Sequence, residues 1–184
     1  MATISDLDIP EVKPAIELYR GTRRQKVSPQ FTHALLQGRL AAILGMWARG
    51  RGRVGTEWRF YFLESDGNRS SSLVPDVAYV SFERLPYDAG PEAEQPLLAP
   101  DIAVEILSPD DRRAHVQEKT DLYRVYGTTC VIIVDPTQRS IDVLSGNDRE
   151  PTTYRGNAVA DLADGLTIDL GVVFAPLEPP RNES

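Results

Sequence analysis

Residues 101–136 read DIAVEILSPDDRRAHVQEKTDLYRVYGTTCVIIVDP, and the fold follows from how that stretch divides. Asp101 to Leu107 is a strand with few polar interruptions, as expected where a sheet is covered on both faces. Ser108-Pro109-Asp110-Asp111 then supplies a capping hydroxyl, a proline at the first helical position and acidic residues for the first turn. The helix is expected to run to about Tyr126, where Gly127 stops it. Val131 to Val134 is a second, fully apolar strand. Strand, helix and strand have the length of one crossover unit, which makes the two strands parallel and the connection right-handed.

Outward from this unit the periodicity stays readable. Ser140 to Leu144 is expected to pair with 131–134 across the turn Asp135-Pro136-Thr137-Gln138. Upstream, Asp76 to Phe82 (DVAYVSF) and Thr56 to Leu63 (TEWRFYFL) read as strands. Phe31, Leu35, Leu36, Leu40, Ile43 and Leu44 recur at helical spacing, so a helix is expected from a Ser28 N-cap and Pro29 to near Gly50. Gly165 to Leu170 reads as a last strand, followed by a helical turn near Phe174. Ser65 to Ser72 (SDGNRSSS) and Tyr87 to Gln95 have the composition of loops, and Thr3–Pro14 and Leu177–Ser184 read as loosely held termini. The expected class is α/β, a mixed sheet flanked by helices, in one domain spanning 1–184.

The bulk composition excludes several function classes. A hydrophobic content of 41% with 26% charged residues belongs to a globular chain. No apolar run approaches the roughly 20 residues that span a bilayer. The N-terminus MATISDLDIPEVKP lacks the basic and apolar regions of a signal peptide, so a cytoplasmic protein is expected. The single cysteine, Cys130, excludes an internal disulfide and a cysteine-rich zinc site, and its apolar neighbours make it a buried thiol. The net charge of −7 is unevenly spread: residues 1–69 balance at +4 and residues 70–184 at −11. Basic residues cluster at Arg20, Arg23, Arg24 and Lys26, and at Arg49, Arg51, Arg53 and Arg59. An acidic half can hold metal while a basic flank holds phosphates; solvated surface is the plainer reading of both clusters.

Alternation in strand 101–107 places Asp101, Ala103, Glu105 and Leu107 on one face, which makes Glu105 an acid among apolar neighbours. Buried carboxylates are ion-paired or metal-bound, and both options stand for Glu105. Asp101 lies roughly 13 Å away along the strand, too far to share an ion, and reads as a strand-start or capping residue. Asp76 opens its strand directly after Pro75; alone it is a turn residue, but paired with Glu105 it could hold one hard cation. His115, Lys119, Tyr123 and Tyr126 form a helical stripe beside Val116, Leu122 and Val125, which should face the sheet. Lys119 on the margin of that face either reaches the sheet end or snorkels to solvent.

Taken together, Val74-Pro75-Asp76, Asp101 to Ser108, Glu118-Lys119 with Leu122-Tyr123 and Gly127, and Val131 to Pro136 resemble the Uma-type putative restriction endonucleases of the PD-(D/E)XK nuclease superfamily. Gly21, Ser28-Pro29 and His33 match the family's N-terminal segment, and Gly165-Leu166 through Leu170 and Phe174 its closing one, so the resemblance covers roughly 15–176. It implies a restriction-endonuclease-like core in which Asp76 and Glu105 bind Mg²⁺ or Mn²⁺, with the Ile106 carbonyl a further ligand. Residue 107, where the superfamily motif has lysine, is Leu107; in this family the lysine lies on the following helix, which assigns it to Lys119. Glu17 matches an acidic residue that assists the site in some members. His33 is either a helix-packing residue or an outer contact to the site. His115 and Thr22 depart from the family's usual Asp and Glu at those places. The implied function is a metal-dependent endonuclease acting on nucleic acid, with DNA as the expected substrate and a homodimer as the expected assembly. Lys119 would orient the attacking water, and arginines of the N-terminal half would hold the substrate backbone. The alternative is a catalytically silent, nuclease-derived domain that binds nucleic acid or protein, and a plain structural domain is the third reading. Metal binding separates the first reading from the third, and turnover separates it from the second.

Overall fold

A computed structural model describes residues 12–63, 70–109 and 113–177. In chain order its elements are β1 (Ile16–Tyr19), β2 (Thr22–Gln25), α1 (Phe31–Trp47), β3 (Gly52–Thr56), β4 (Phe60–Leu63), β5 (Ser70–Leu73), β6 (Val77–Ser81), β7 (Ile102–Ile106), α2 (Arg113–Val125) and β8 (Cys130–Asp135). β9 (Ser140–Ser145), β10 (Thr152–Arg155), β11 (Val159–Asp161), β12 (Thr167–Asp169) and α3 (Leu170–Phe174) complete them. The expected crossover is present: β7 and β8 are parallel neighbours joined through α2. They are the centre of a six-stranded mixed sheet of order β10-β9-β8-β7-β6-β3, in which every other pairing is antiparallel.

Strand alternation divides the core into two layers. Val77, Tyr79, Ile102, Val104, Ile106, Ile132 and Val134 pack with Leu36, Leu40 and Leu44 of α1 and with Leu170, Val173 and Phe174 of α3. The opposite residues, Ala78, Val80, Ala103 and Val131, pack against Leu122 and Tyr123 of α2 and against Phe60, Phe62 and Leu73 of a second sheet. That sheet is four-stranded and antiparallel, of order β2-β1-β5-β4. Both faces of β7 are therefore covered, which is why its sequence is apolar on both sides. Glu105 shares the face of Ala103 and so points toward α2 and the second sheet.

Several local expectations are corrected. Ser28 does not cap α1; Gln30 stands at the cap position without a side-chain bond, and the helix starts at Phe31. Lys26 is tied to Val74 and Asp76, which fixes the chain ahead of the helix and delays its first turn. The run Thr56 to Leu63 is two strands in different sheets, because Glu57 adopts φ 49° and turns the chain between them. Ser70–Leu73 is a strand where a loop was expected: Ser71 and Ser72 are fully buried, and their hydroxyls accept from Arg20 N at 3.0 Å and from Arg59 Nη1 at 3.0 Å. The helix that was to start near Pro109 is described from Arg113. Val125 does not face the sheet but is 69% exposed; Lys119, Thr120, Leu122 and Tyr123 form the buried side of α2. The terminal stretches 3–11 and 178–184 lie outside the described residues.

Cys130 is buried, and burial raises its thiol pKa, in keeping with an inert core residue. Among the described residues no helix is long and apolar enough to cross a membrane. At the sheet edge a Cβ on Gly52 would meet the Val80 carbonyl and approach Tyr79 Cε2 at 2.5 Å. Gly52→Ala is therefore expected to cost about 1–3 kcal/mol through displacement of β3 from β6, measured by urea unfolding.

Candidate active site

Asp76 sits one residue before β6, and the last β6–β7 pair is Val77↔Val104. Continuing that register by one step would set Asp76 across from Glu105. The aspartate in fact clasps the β7 backbone on either side of Glu105: its N–H donates to Val104 O at 3.0 Å, and its Oδ2 accepts from Ile106 N at 2.7 Å. Pro75 before it, with no N–H to pair, fits the residue at which a chain enters a strand.

Glu105 meets α2. Its Oε2 accepts from Lys119 Nζ at 2.7 Å and its Oε1 from the Tyr123 hydroxyl at 2.7 Å. Lys119 and Tyr123 are four residues apart on one helical face, so both reach the same carboxylate. Lys119 Nζ also lies 2.8 Å from Glu17 Oε1, bridging the two sheets. Glu17 is in turn held by Val74 N at 2.7 Å and by the Tyr19 hydroxyl at 2.9 Å.

A second cation serves Asp76. Lys26, just past β2, donates to Asp76 Oδ1 at 2.6 Å and to the Val74 carbonyl at 2.9 Å. His33 of α1 donates through Nε2 to Asp76 Oδ2 at 3.1 Å, and Gln37 donates to the Asp76 carbonyl at 2.9 Å. Asp76, Glu105, Ile106, Glu17, Lys26 and Lys119 all line one pocket of about 200 Å³.

Burial and charge act against each other here. Burial alone would raise the Asp76 carboxyl, but Lys26, His33 and Lys119 hold it well below the usual range. Burial would likewise raise Glu17, and Lys119, Lys26 and the Val74 hydrogen bond bring it below its ordinary value. For Glu105 burial wins over Lys119, and with the Asp76 charge nearby it pushes the carboxyl up to about 7. Burial opposes the charge on Lys119, yet Glu105 and Glu17 raise its pKa well above the ordinary lysine value, so the ammonium is retained.

The structure thus brings the sequence-predicted Asp76, Glu105, Ile106 and Lys119 together. Glu17 and His33 join them, while His115 lines the same pocket from an exposed helical position. Thr22 is exposed at the β1–β2 turn. Asp101 is separate, its carboxylate accepting from Ser81 N at 2.7 Å and from Arg84 at 2.9 Å, as a strand-start residue should. Three arginines of the second basic cluster are tied to the main chain. Arg51 donates to the Asp164 carbonyl, Arg53 to those of Leu85, Pro86 and Tyr87, and Arg59 to that of Ile16, so these side chains are occupied holding loops. Arg24 lines the pocket, stacked 4.4 Å over Tyr19 and paired with Glu118 at 2.7 Å. Lys26 was visible in the sequence only as part of a basic cluster.

The donor set suits a hard dication. Two carboxylates with a main-chain carbonyl beside them are oxygen donors, and the positions next to both carboxylates already accommodate ammonium groups. Three carboxyl groups face two lysines, so the site carries one negative charge in excess when Glu105 is ionised. Among the described residues no three His, Cys, Asp or Glu side chains form a metal-holding group, which Mg²⁺, bound by one or two carboxylates, does not require.

The comparisons with known proteins bear on the family and the fold. The Uma2 family model, described as putative restriction endonuclease, matches residues 5–175. A crystal structure of a putative nuclease belonging to DUF820 from Anabaena variabilis is similar with a TM-score of 0.82 and 26% identity, covering 94% of this chain and 97% of that one. Its match confirms the restriction-endonuclease-like fold. No curated protein matches.

Proposed function

This chain belongs to the Uma2 family, and from that premise we propose that it is a divalent-metal-dependent endonuclease hydrolysing phosphodiester bonds of DNA. One observation carries the reading: Lys119 Nζ, from the helix, stands between Glu17 and Glu105 in the pocket that also holds Asp76. Asp76 and Glu105, with the Ile106 carbonyl, would hold Mg²⁺ or Mn²⁺. When bound, such an ion polarises the phosphoryl group and makes water a better nucleophile at neutral pH.

The remaining work falls to the chain's own residues. Lys119 keeps Glu17 as its anchor when Glu105 Oε2 is given over to the ion, so its ammonium stays in the pocket. There it donates a hydrogen bond that orients the attacking water and stabilises charge developing on the phosphate. Tyr123 fixes the rotamer of Glu105, and Tyr19 that of Glu17. Arg24 and Lys26 supply positive charge on the β2 side for backbone phosphates. The homodimer expected of the family belongs to the same reading.

A second reading, the silent nuclease-derived binding domain, is favoured by the 2.6 Å grip of Lys26 on Asp76, which neutralises one of the two metal-binding acids. Cleavage of supercoiled plasmid and of a single-stranded oligonucleotide separates the two. With Mg²⁺ or Mn²⁺ the wild type is expected to cut, with EDTA it is not, and Asp76→Asn is expected to weaken Mn²⁺ binding at least about tenfold by calorimetry. Folded protein that cuts with neither metal belongs to the silent domain.

A further inference from the structure

We infer that the cavity beside the carboxylate pocket is a nucleoside subsite, and that the substrate presents an unpaired base to it. This names the substrate class of the nuclease site and rests on that reading. The two cavities share a wall made by Val27, His33, Leu107 and Ser108. The second has a volume of about 370 Å³, against about 200 Å³ for the first. A group held in it is therefore next to any phosphate held at Asp76 and Glu105.

Its chemistry differs from that of its neighbour. Among the described residues no carboxylate lines it, and Arg139 is the one lining residue with a permanent charge. Pro109, Pro136 and Leu107 give apolar surface, and Gln30, Thr32 and Thr137 give side-chain donors and acceptors. Apolar walls with a few hydrogen-bonding groups fit a flat, uncharged heterocycle with polar edges. The carboxylate pocket, by contrast, fits a cation and a phosphate.

His33 supplies an independent observation. It lies in the shared wall, it is 9% exposed, and its Nε2 is committed to Asp76. Its Nδ1 is buried and has no hydrogen-bond partner among the described residues. With the proton on Nε2 directed at the carboxylate, Nδ1 is an acceptor, and a buried acceptor calls for a donor. The ring stands in the wall between the two cavities, beside a group held in either.

A base held in it lies against Leu107, Pro109 and Pro136 in place of its stacked neighbours. In a duplex the base must first leave its stack, which a single strand does not require. The expected substrate is therefore single-stranded or locally unpaired nucleic acid.

The test is calorimetric titration of the full chain, with Ca²⁺ present, using thymidine 5′-monophosphate and inorganic phosphate as probes. The nucleotide is expected to bind at least tenfold more tightly than phosphate. Thr137→Trp, on an exposed turn at the cavity, is expected to remove that difference while phosphate affinity holds; Thr32→Trp, from the α1 side, repeats the test. Equal binding of the two probes to the wild type, or a nucleotide preference that survives both variants, overturns the subsite. Cleavage separates it from the nuclease reading. Single-stranded DNA is expected to be cut at least tenfold faster than the same sequence as a duplex. Equal rates overturn the unpaired-base preference and leave the nuclease standing. A nucleotide preference with no cleavage of either form keeps the subsite and removes the nuclease.

Discussion

Glu105→Gln is expected to reduce phosphodiester cleavage on the order of 10³-fold, about 4 kcal/mol of transition-state stabilisation. The substitution is isosteric; it removes the charge and turns one acceptor oxygen into an NH₂ donor. The amide oxygen still accepts from Lys119 while the amide NH₂ donates to the Tyr123 hydroxyl oxygen, and Lys119 keeps Glu17 at 2.8 Å, so the helix stays docked. What is lost is one of two anionic oxygen donors facing a dication, leaving Asp76 as the remaining carboxylate ligand. Mn²⁺ affinity should fall together with the rate, and the melting temperature should stay within a few degrees of wild type. Removing a buried carboxylate already pushed up to about 7 relieves a desolvation cost, so the variant gains stability on that account. A folded Glu105→Gln protein that cuts within threefold of wild type would show that the reaction runs elsewhere.

Asp76, Glu105 and Lys119 share one property: each lies in or beside the crossover unit, where local pattern and tertiary role coincide, whereas Glu17 and His33, on β1 and α1, were marked through the resemblance. Glu105 stood out as an acid in an otherwise apolar strand, and Asp76 followed from the strand start after Pro75. Lys119 was legible only through the resemblance, because on α2 alone a marginal lysine is equally a solvated one. The β1–β2 hairpin was missed, although Ile16 and Leu18 alternate with Glu17 and Tyr19 and the Arg20-Gly21 turn has φ 47° and 82°. Its second strand, TRRQ, has no apolar residue to signal a covered face. What makes it a strand is its pairing with β1, and what gives Lys26 a role is Asp76, 50 residues away. Charge clusters are ambiguous for the same reason. Arg51, Arg53 and Arg59 look like a phosphate-binding run in sequence, yet the fold spends them on main-chain carbonyls.

Lys119→Met is expected to destabilise the metal-free protein by about 3–5 kcal/mol at pH 8, because one ammonium serves two buried carboxylates. Methionine fills the channel left by the lysine stem, so little of the loss is packing. The pH dependence identifies the cause. The Glu105 carboxyl already stands at about 7 against an ordinary 4.5, and loss of the adjacent cation moves it further up. Glu17 loses the attraction that held it below its ordinary value and rises too. A carboxyl raised in the folded state binds its proton more tightly there than in the unfolded chain. Stability is then present below the unfolded value and falls as pH rises through the folded one. In EDTA, the gap between wild type and Lys119→Met in urea unfolding should therefore be small near pH 5 and widen toward pH 8. Adding Glu17→Gln should recover part of the loss at pH 8, since one of the two stranded charges is removed. A gap of equal size at both pH values would assign the cost to packing, and Lys119 would then be a filler of the α2 face and not the electrostatic keystone between the two sheets.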